Sequence, residues 1–110
     1  MLDSSCGDMT WMPSFLETRT DVDFTGYDIV SKNIDHHREQ FKNHKDWTFE
    51  QHDIVKDQIN QSYDLILSRH TFQHLKTKDV KKIIQNFIKS GSRFLLATNY
   101  PIAKVKNVLR

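Results

Sequence analysis

Cysteine is nearly absent from this 110-residue chain, with Cys6 as the single example. One thiol cannot close an internal disulfide, so a stapled secreted scaffold is excluded and a reducing, cytoplasmic setting is the expectation. Glycine and proline are sparse as well, at three and two residues. With no Gly/Ser linker, internal repeat or low-complexity tract to divide it, the chain reads as one domain over residues 1–110. No apolar run approaches the roughly 18 residues that cross a bilayer, and no basic segment followed by an apolar one stands at the N-terminus. Neither a membrane span nor a targeting segment is therefore expected. Charge of one sign is lacking too: 16 Lys+Arg stand against 14 Asp+Glu. This balance gives no electrostatic reason to expect a nucleic acid or an anionic membrane as partner. Hydrophobic residues are only 37% of the chain, and a domain of this length buries at best about two-thirds of its unfolded surface, so the core will be small.

What is present is an alternation of element types. Met1-Leu2 leads into a polar turn, Asp3-Ser4-Ser5-Cys6-Gly7-Asp8. Thr10 is placed to cap a helix through Trp11-Met12-Pro13-Ser14-Phe15-Leu16, proline being tolerated in a first turn. Asp23 to Val30 is β-branched and aromatic, which predicts a buried strand leaving through Asp28. Ser31 is placed to cap a second helix with Ile34, His37 and Phe41 on one face. Trp47 to Gln51 alternates with period two, the pattern of a half-buried or edge strand, and ends at His52-Asp53-Ile54-Val55. Tyr63 to Ser68 contains an uninterrupted Leu-Ile-Leu run, which suits a strand covered on both faces near the sheet centre. Thr77 to Ser90 places Val80, Ile83, Ile84, Phe87 and Ile88 on one helical stripe, with Asp79 in the first turn and Gly91 as the stop. Arg93 to Thr98 is a further strand, closed by Asn99-Tyr100-Pro101.

Strands alternating with helices predict a Rossmann-like α/β fold: three layers, αβα, around a mostly parallel sheet of about five strands, with ligand chemistry at their carboxyl ends. A central parallel strand needs several residues to pair on both sides. One beginning at Met1-Leu2 suggests a fragment, an unusual isoform or a domain completed by other elements. The unpaired edge of a shortened sheet, with its free N–H and C=O groups, invites self-association.

Three places along that carboxyl edge bear chemistry. The Asp3 to Asp8 turn lies between a strand end and a helix start, where exposed N–H groups bind a polar or anionic ligand group. Asp28 follows Gly7 by 21 residues, close to the offset of about 20 at which an acidic side chain meets a ribose hydroxyl in nucleotide-binding α/β folds. A carboxylate there opposes a cofactor with a 2′-phosphate, because two anions would be desolvated together. Asp53 ends the third strand on the same edge. Its carboxylate is an acceptor for a base amino group, and the Ile54 N–H a donor for a ring nitrogen.

With these residues in view, the sequence resembles the class I S-adenosylmethionine-dependent methyltransferases, most closely a subgroup whose first motif reads Asp-x-x-Cys-Gly-Asp-x-x-Trp-Met. The matching residues run from Asp3 through Met12, then Tyr27-Asp28-Ile29-Val30, Tyr63 to Arg69, His74-Leu75, and Lys89 to Leu96. The resemblance implies S-adenosyl-L-methionine as cofactor. Asp3, Ser4, Ser5 and Gly7 would hold its amino-acid end, Asp28 its ribose with Ile29 alongside, and Asp53 and Ile54 its adenine; Ser68 and Arg69 would line the pocket. Methyl transfer would go to an unidentified small-molecule or protein acceptor, aligned with the sulfonium methyl. The N-terminal cap and the final antiparallel hairpin of that fold would lie outside these residues. The alternative is a truncated, non-catalytic binding module. An NAD-type oxidoreductase is disfavoured because Gly-x-Gly-x-x-Gly is absent.

The chain departs from the family pattern at three positions. Ser5 and Met9 stand where the superfamily's Asp-x-Gly-x-Gly-x-Gly has its first and third glycines, and a side chain limits access to positive φ. His70 stands where the subgroup tends to have aspartate. Titratable near neutrality, His70 and His74 are the nearest bases, but methyl transfer does not require one and neither is assigned a role. Four residues apart, they lack a third ligand, so no metal site is expected. The remaining chemistry-bearing residues have plainer readings. Cys6 fills a tight turn, and His36-His37 and the lysines at 76, 78, 81 and 82 form solvated helix faces; Trp11 either borders the pocket or anchors its helix. The central expectation is that Asp3, Asp28 and Asp53 converge on one hollow beside Gly7.

Overall fold

The computed structural model describes residues 1–68 and 75–97. Their elements alternate as expected: β1 (Leu2–Asp3), α1 (Met12–Glu17), β2 (Phe24–Asp28), α2 (Ser31–Gln40), β3 (Trp47–Gln51), β4 (Leu65–Ser68), α3 (Thr77–Lys89) and β5 (Phe94–Ala97). The strands form one sheet in the order β3-β2-β1-β4-β5, and every adjacent pair is parallel. Asp3 sits opposite Gly26 on one side and Leu67 on the other, which places short β1 at the centre with its carboxyl end beside those of β2 and β4.

The period of two along each strand sorts side chains into two apolar layers. Leu2, Tyr27 and Ile66 face α3, whose Val80, Ile83, Ile84 and Phe87 are buried against them. Phe24, Phe49 and Leu67 face the other way, onto Met12 and Leu16 of α1 and Ile34 of α2. The architecture is thus the three-layer αβα Rossmann-like sandwich that the alternation predicted. Gly26 permits a close approach within the second layer. A Cβ there would lie 3.1 Å from the Cβ and Sγ of Cys6 and 3.1 Å from a ring carbon of Phe49. No helix of the described residues is long and apolar enough to cross a membrane.

Several local expectations need correction. Thr10 does not cap α1: the cap position is Trp11, without a side-chain cap bond, while the Thr10 amide and hydroxyl both bond the Asp8 carboxylate. Ser31 is the first residue of α2, and the cap position is Val30. His37 is not on a solvated face but is buried at 1% exposure, while its neighbour His36 is exposed. Ile88, at the margin of the α3 stripe, is 62% exposed. The strand expected at residues 63–68 begins only at Leu65, because Tyr63 is engaged outside the sheet ladder: its amide bonds the Ser92 hydroxyl and its carbonyl the Arg93 amide. Among the described residues β5 pairs on one side only, and its Phe94 and Leu96 are largely exposed.

Candidate functional site

The loop after β1 is fixed before any ligand is considered. The Ser4 amide extends the pairing with β4 by donating to Leu67 O at 2.9 Å, and the Cys6 amide donates to Tyr27 O of β2 at 2.8 Å. One loop therefore straddles both neighbours of the central strand, at the point where the strand order reverses; in open parallel sheets ligands bind beyond the carboxyl ends at such a point. Gly7 takes φ +57° and Met9 φ +58°, Met9 being the sole non-glycine residue with positive φ among the described residues. The left-handed conformation costs a side-chain-bearing residue about 1–2 kcal/mol. Burial of Met9 in the second apolar layer, at 5% exposure, offsets this. Ser5, the other non-glycine replacement, does not have positive φ.

Directly above this edge is a cleft of about 210 Å³ lined by Ser4, Ser5, Asp28, Ile29, His52, Asp53, Ile54, Val55 and Leu75. Six of the ten residues singled out from sequence thus meet in one concavity. Asp3 and Ser68 do not line it, and both are almost completely buried. The Asp3 carboxylate accepts a bond from the Ser5 amide at 3.3 Å and so braces the loop from within. Ser68 ends β4 with its hydroxyl buried and, among the described residues, without a hydrogen-bond partner. Gly7 belongs to the same loop but does not line the cleft. Arg69, like His70 and His74, lies outside the described residues. Of the three carboxylates expected to converge, Asp28 and Asp53 line the cleft and Asp3 does not, because it is buried at the end of the central strand.

The two wall carboxylates are held differently. Asp28 receives the Val30 amide on Oδ1 at 3.0 Å and the Asn33 side-chain amide on Oδ2 at 3.1 Å, so it orders the start of α2. Asp53 uses Oδ1 alone, accepting the amides of Val55 and Lys56 within its own turn. Asp57 closes that turn by accepting the Asp53 amide at 2.9 Å. The Ile54 amide makes no hydrogen bond among the described residues.

Two supporting residues escaped the sequence reading. Asn86, buried on α3, donates to Ile54 O at 3.2 Å and Val55 O at 3.3 Å, tying the cleft's third loop to the helix below. A polar residue within the apolar stripe of α3 was the available signal. His52 is stacked on Tyr27, with centroids 4.0 Å apart and planes 13° apart. Burial, with a side-chain hydrogen bond to Tyr63, raises the Tyr27 hydroxyl well above the usual phenol range. Asp8, at the loop's outer end, is held below the usual carboxylate range chiefly by its bond with the Thr10 hydroxyl. Among the described residues, no group of three His, Cys, Asp or Glu side chains is arranged to hold a metal ion.

A larger hollow, of about 340 Å³, lies between α2 and β3 and is lined by Arg38, Lys42, Lys45, Phe41 and Trp47 among others. There Arg38 donates to Phe49 O at 2.9 Å and Lys42 pairs with Glu39 at 3.0 Å.

Comparison with known proteins agrees with the fold. A family model described as a methyltransferase domain matches residues 2–90. No curated protein matches the sequence. Among solved structures, the chain is similar to coclaurine N-methyltransferase bound to N-methylheliamine and S-adenosylhomocysteine, with 17% identity and a TM-score of 0.75 over 87% of this chain and 29% of that one. It is similar to TehB from Haemophilus influenzae, with 21% identity and a TM-score of 0.68 over 96% of this chain and 44% of that one. For the StiE O-MT fragment 961–1257 the values are 19% and 0.70, over 86% of this chain and 33% of that one. The chain thus spans less than half the length of each of these structures. It belongs to the methyltransferase-domain family, and its five-stranded parallel sheet has the Rossmann-like fold of the S-adenosylmethionine-dependent methyltransferases.

Proposed function

We propose that this chain binds S-adenosylmethionine in the cleft above β1, β2 and β3 and presents it for methyl transfer to a small-molecule or protein acceptor. The observation that carries this reading is the meeting of Ser4, Ser5, Asp28, Ile29, Asp53 and Ile54 around one concavity at the strand-order reversal. The donors and acceptors fit a nucleoside. Each Asp28 oxygen has one hydrogen bond and keeps acceptor capacity for a ribose hydroxyl. Asp53 Oδ2 suits a base amino group, and the Ile54 amide a ring nitrogen. Ile29, Val55 and Leu75 supply apolar surface for the faces of a base. The cleft's roughly 210 Å³ is below the range of about 300 Å³ upward typical of whole-ligand sites, so its walls hold the nucleoside end. Ser4, Ser5 and Gly7 then lie toward the amino-acid end. The Ser68 hydroxyl, buried and without a hydrogen-bond partner among the described residues, ends β4 on the same edge.

When bound, the cofactor supplies an electrophilic sulfonium methyl. The chain's own residues orient it, and the Asp28 carboxylate disfavours a 2′-phosphorylated ligand.

Calorimetric titration of the chain with S-adenosylhomocysteine tests the proposal. Saturable binding is the expected result, weakened about tenfold or more by Asp28→Ala. Asp28→Asn keeps an acceptor for the Val30 amide and separates loss of the helix start from loss of the ribose contact. Folded protein that gives no heat of binding would overturn the reading, and binding without any transfer activity would mark a binding module.

A further inference from the structure

Two buried histidines share an arrangement that packing alone does not require. His37, on α2, reaches Gly7 O with Nε2 at 2.5 Å. His52, just beyond β3, reaches Gln58 O with Nε2 at 3.1 Å. A carbonyl oxygen only accepts, so each ring carries its proton on Nε2. In both rings Nδ1 is buried and has no hydrogen-bond partner among the described residues. The surroundings are largely aromatic: His37 lies among His36, Phe41 and Phe49, and His52 lies on Tyr27. An apolar ring would fill either space without burying an unpartnered nitrogen, so what imidazole adds at each site is one N–H donor.

Both acceptors lie in the loops that bound the cleft. Gly7 is in the loop that carries Ser4 and Ser5, at positive φ, where nothing within 4 Å of a Cβ position would restrain it sterically. Its carbonyl direction is set by His37. Gln58 closes the turn that begins at His52 and carries Asp53, Ile54 and Val55, so the His52 bond ties the two ends of that turn together.

We infer that His37 and His52 are positioning residues for the cofactor cleft, each using a single Nε2 donor to hold one of its two bounding loops in a binding-ready conformation. This rests on the reading of the cleft as an S-adenosylmethionine site. His37 does not line the cleft and acts through the backbone it restrains; His52 does line it, and the role assigned to it is the bond to Gln58 O.

The test uses the whole chain with His37→Phe, His37→Gln, His52→Phe and His52→Gln. Phenylalanine keeps the ring volume and removes the donor; glutamine returns an N–H at similar reach. In the free proteins, amide hydrogen exchange followed by NMR is expected to quicken about tenfold at Cys6 and Met9 in His37→Phe, and at Val55 and Lys56 in His52→Phe. Exchange within α3 should be unchanged. Affinity for S-adenosylhomocysteine should fall roughly tenfold in each phenylalanine variant and return to within about threefold of wild type with glutamine. Phenylalanine variants that bind as wild type does, or glutamine variants as weak as phenylalanine, would overturn the positioning role alone. Wild-type protein that fails to bind S-adenosylhomocysteine would overturn the cofactor reading and the positioning role together.

Discussion

The two sides of the central strand differ sharply. On the β2–β3 side the sheet is closed over by aromatic side chains, although β3 is itself an edge strand: Phe24 and Phe49 meet edge to face, Phe41 stacks on Phe49 and tilts against Trp47, and Arg38 donates to Phe49 O. On the β4–β5 side, Ile66 and Leu67 are buried but Phe94, Leu95 and Leu96 are exposed, and Ile88 of α3 joins them at the surface. Most of the cleft lies on the closed side, where Asp28, His52 and Asp53 stand at the strand ends. A ligand site needs walls that do not move, and here the walls rise from the better-packed half.

That contrast is open to direct perturbation. Phe49→Ala removes a ring at 3% exposure from the centre of the closed side. The expected cost is about 3–5 kcal/mol, measured by urea unfolding, with loss of S-adenosylhomocysteine binding in the same sample. Asn86→Ala strips a donor from Ile54 O and Val55 O and is expected to cost about 1–3 kcal/mol. Its effect on ligand affinity should exceed that of any exposed α3 substitution. Alkaline unfolding probes the same half through Tyr27. In the fold this hydroxyl keeps its proton above pH 10.0, where the unfolded chain's tyrosine loses it. The stabilisation is complete below that pH and erodes above it by up to about 1.4 kcal/mol per pH unit; Tyr27→Phe should remove that part of the slope. The smallest effect belongs to the open side. Phe94→Lys, at a position 64% exposed, should change stability by less than about 0.5 kcal/mol. It should also lower any self-association seen by sedimentation, because a lysine on a sheet edge discourages strand addition.

The same contrast explains what the sequence reveals. Element order, the burial of β4 beside the central strand and the buried stripe of α3 follow from periodicity, which survives without knowledge of neighbours. Asp28, Asp53 and the Ser4-Ser5 turn are legible because parallel topology carries every strand end to one edge. Capping is less legible: Thr10 and Ser31 have capping side chains, but the backbone places the cap positions at Trp11 and Val30. His37 sits at an apolar position of α2 with a polar identity, and only the proximity of Gly7 O shows why it is buried. Asn86 is similar, since its partners lie 31 and 32 residues away in sequence. For β5 the apolar run suggests burial, yet burial requires a covering layer that the run itself does not encode.

The central claim is that one cleft at the carboxyl edge receives the cofactor's nucleoside. Titrating S-adenosylhomocysteine into the isotope-labelled chain and following its amide resonances tests this most directly. The largest shifts are predicted at Ser4, Ser5, Ile29, Asp53 and Ile54, saturating together. Shifts centred instead on Arg38, Lys42 and Trp47, in the hollow between α2 and β3, would contradict it.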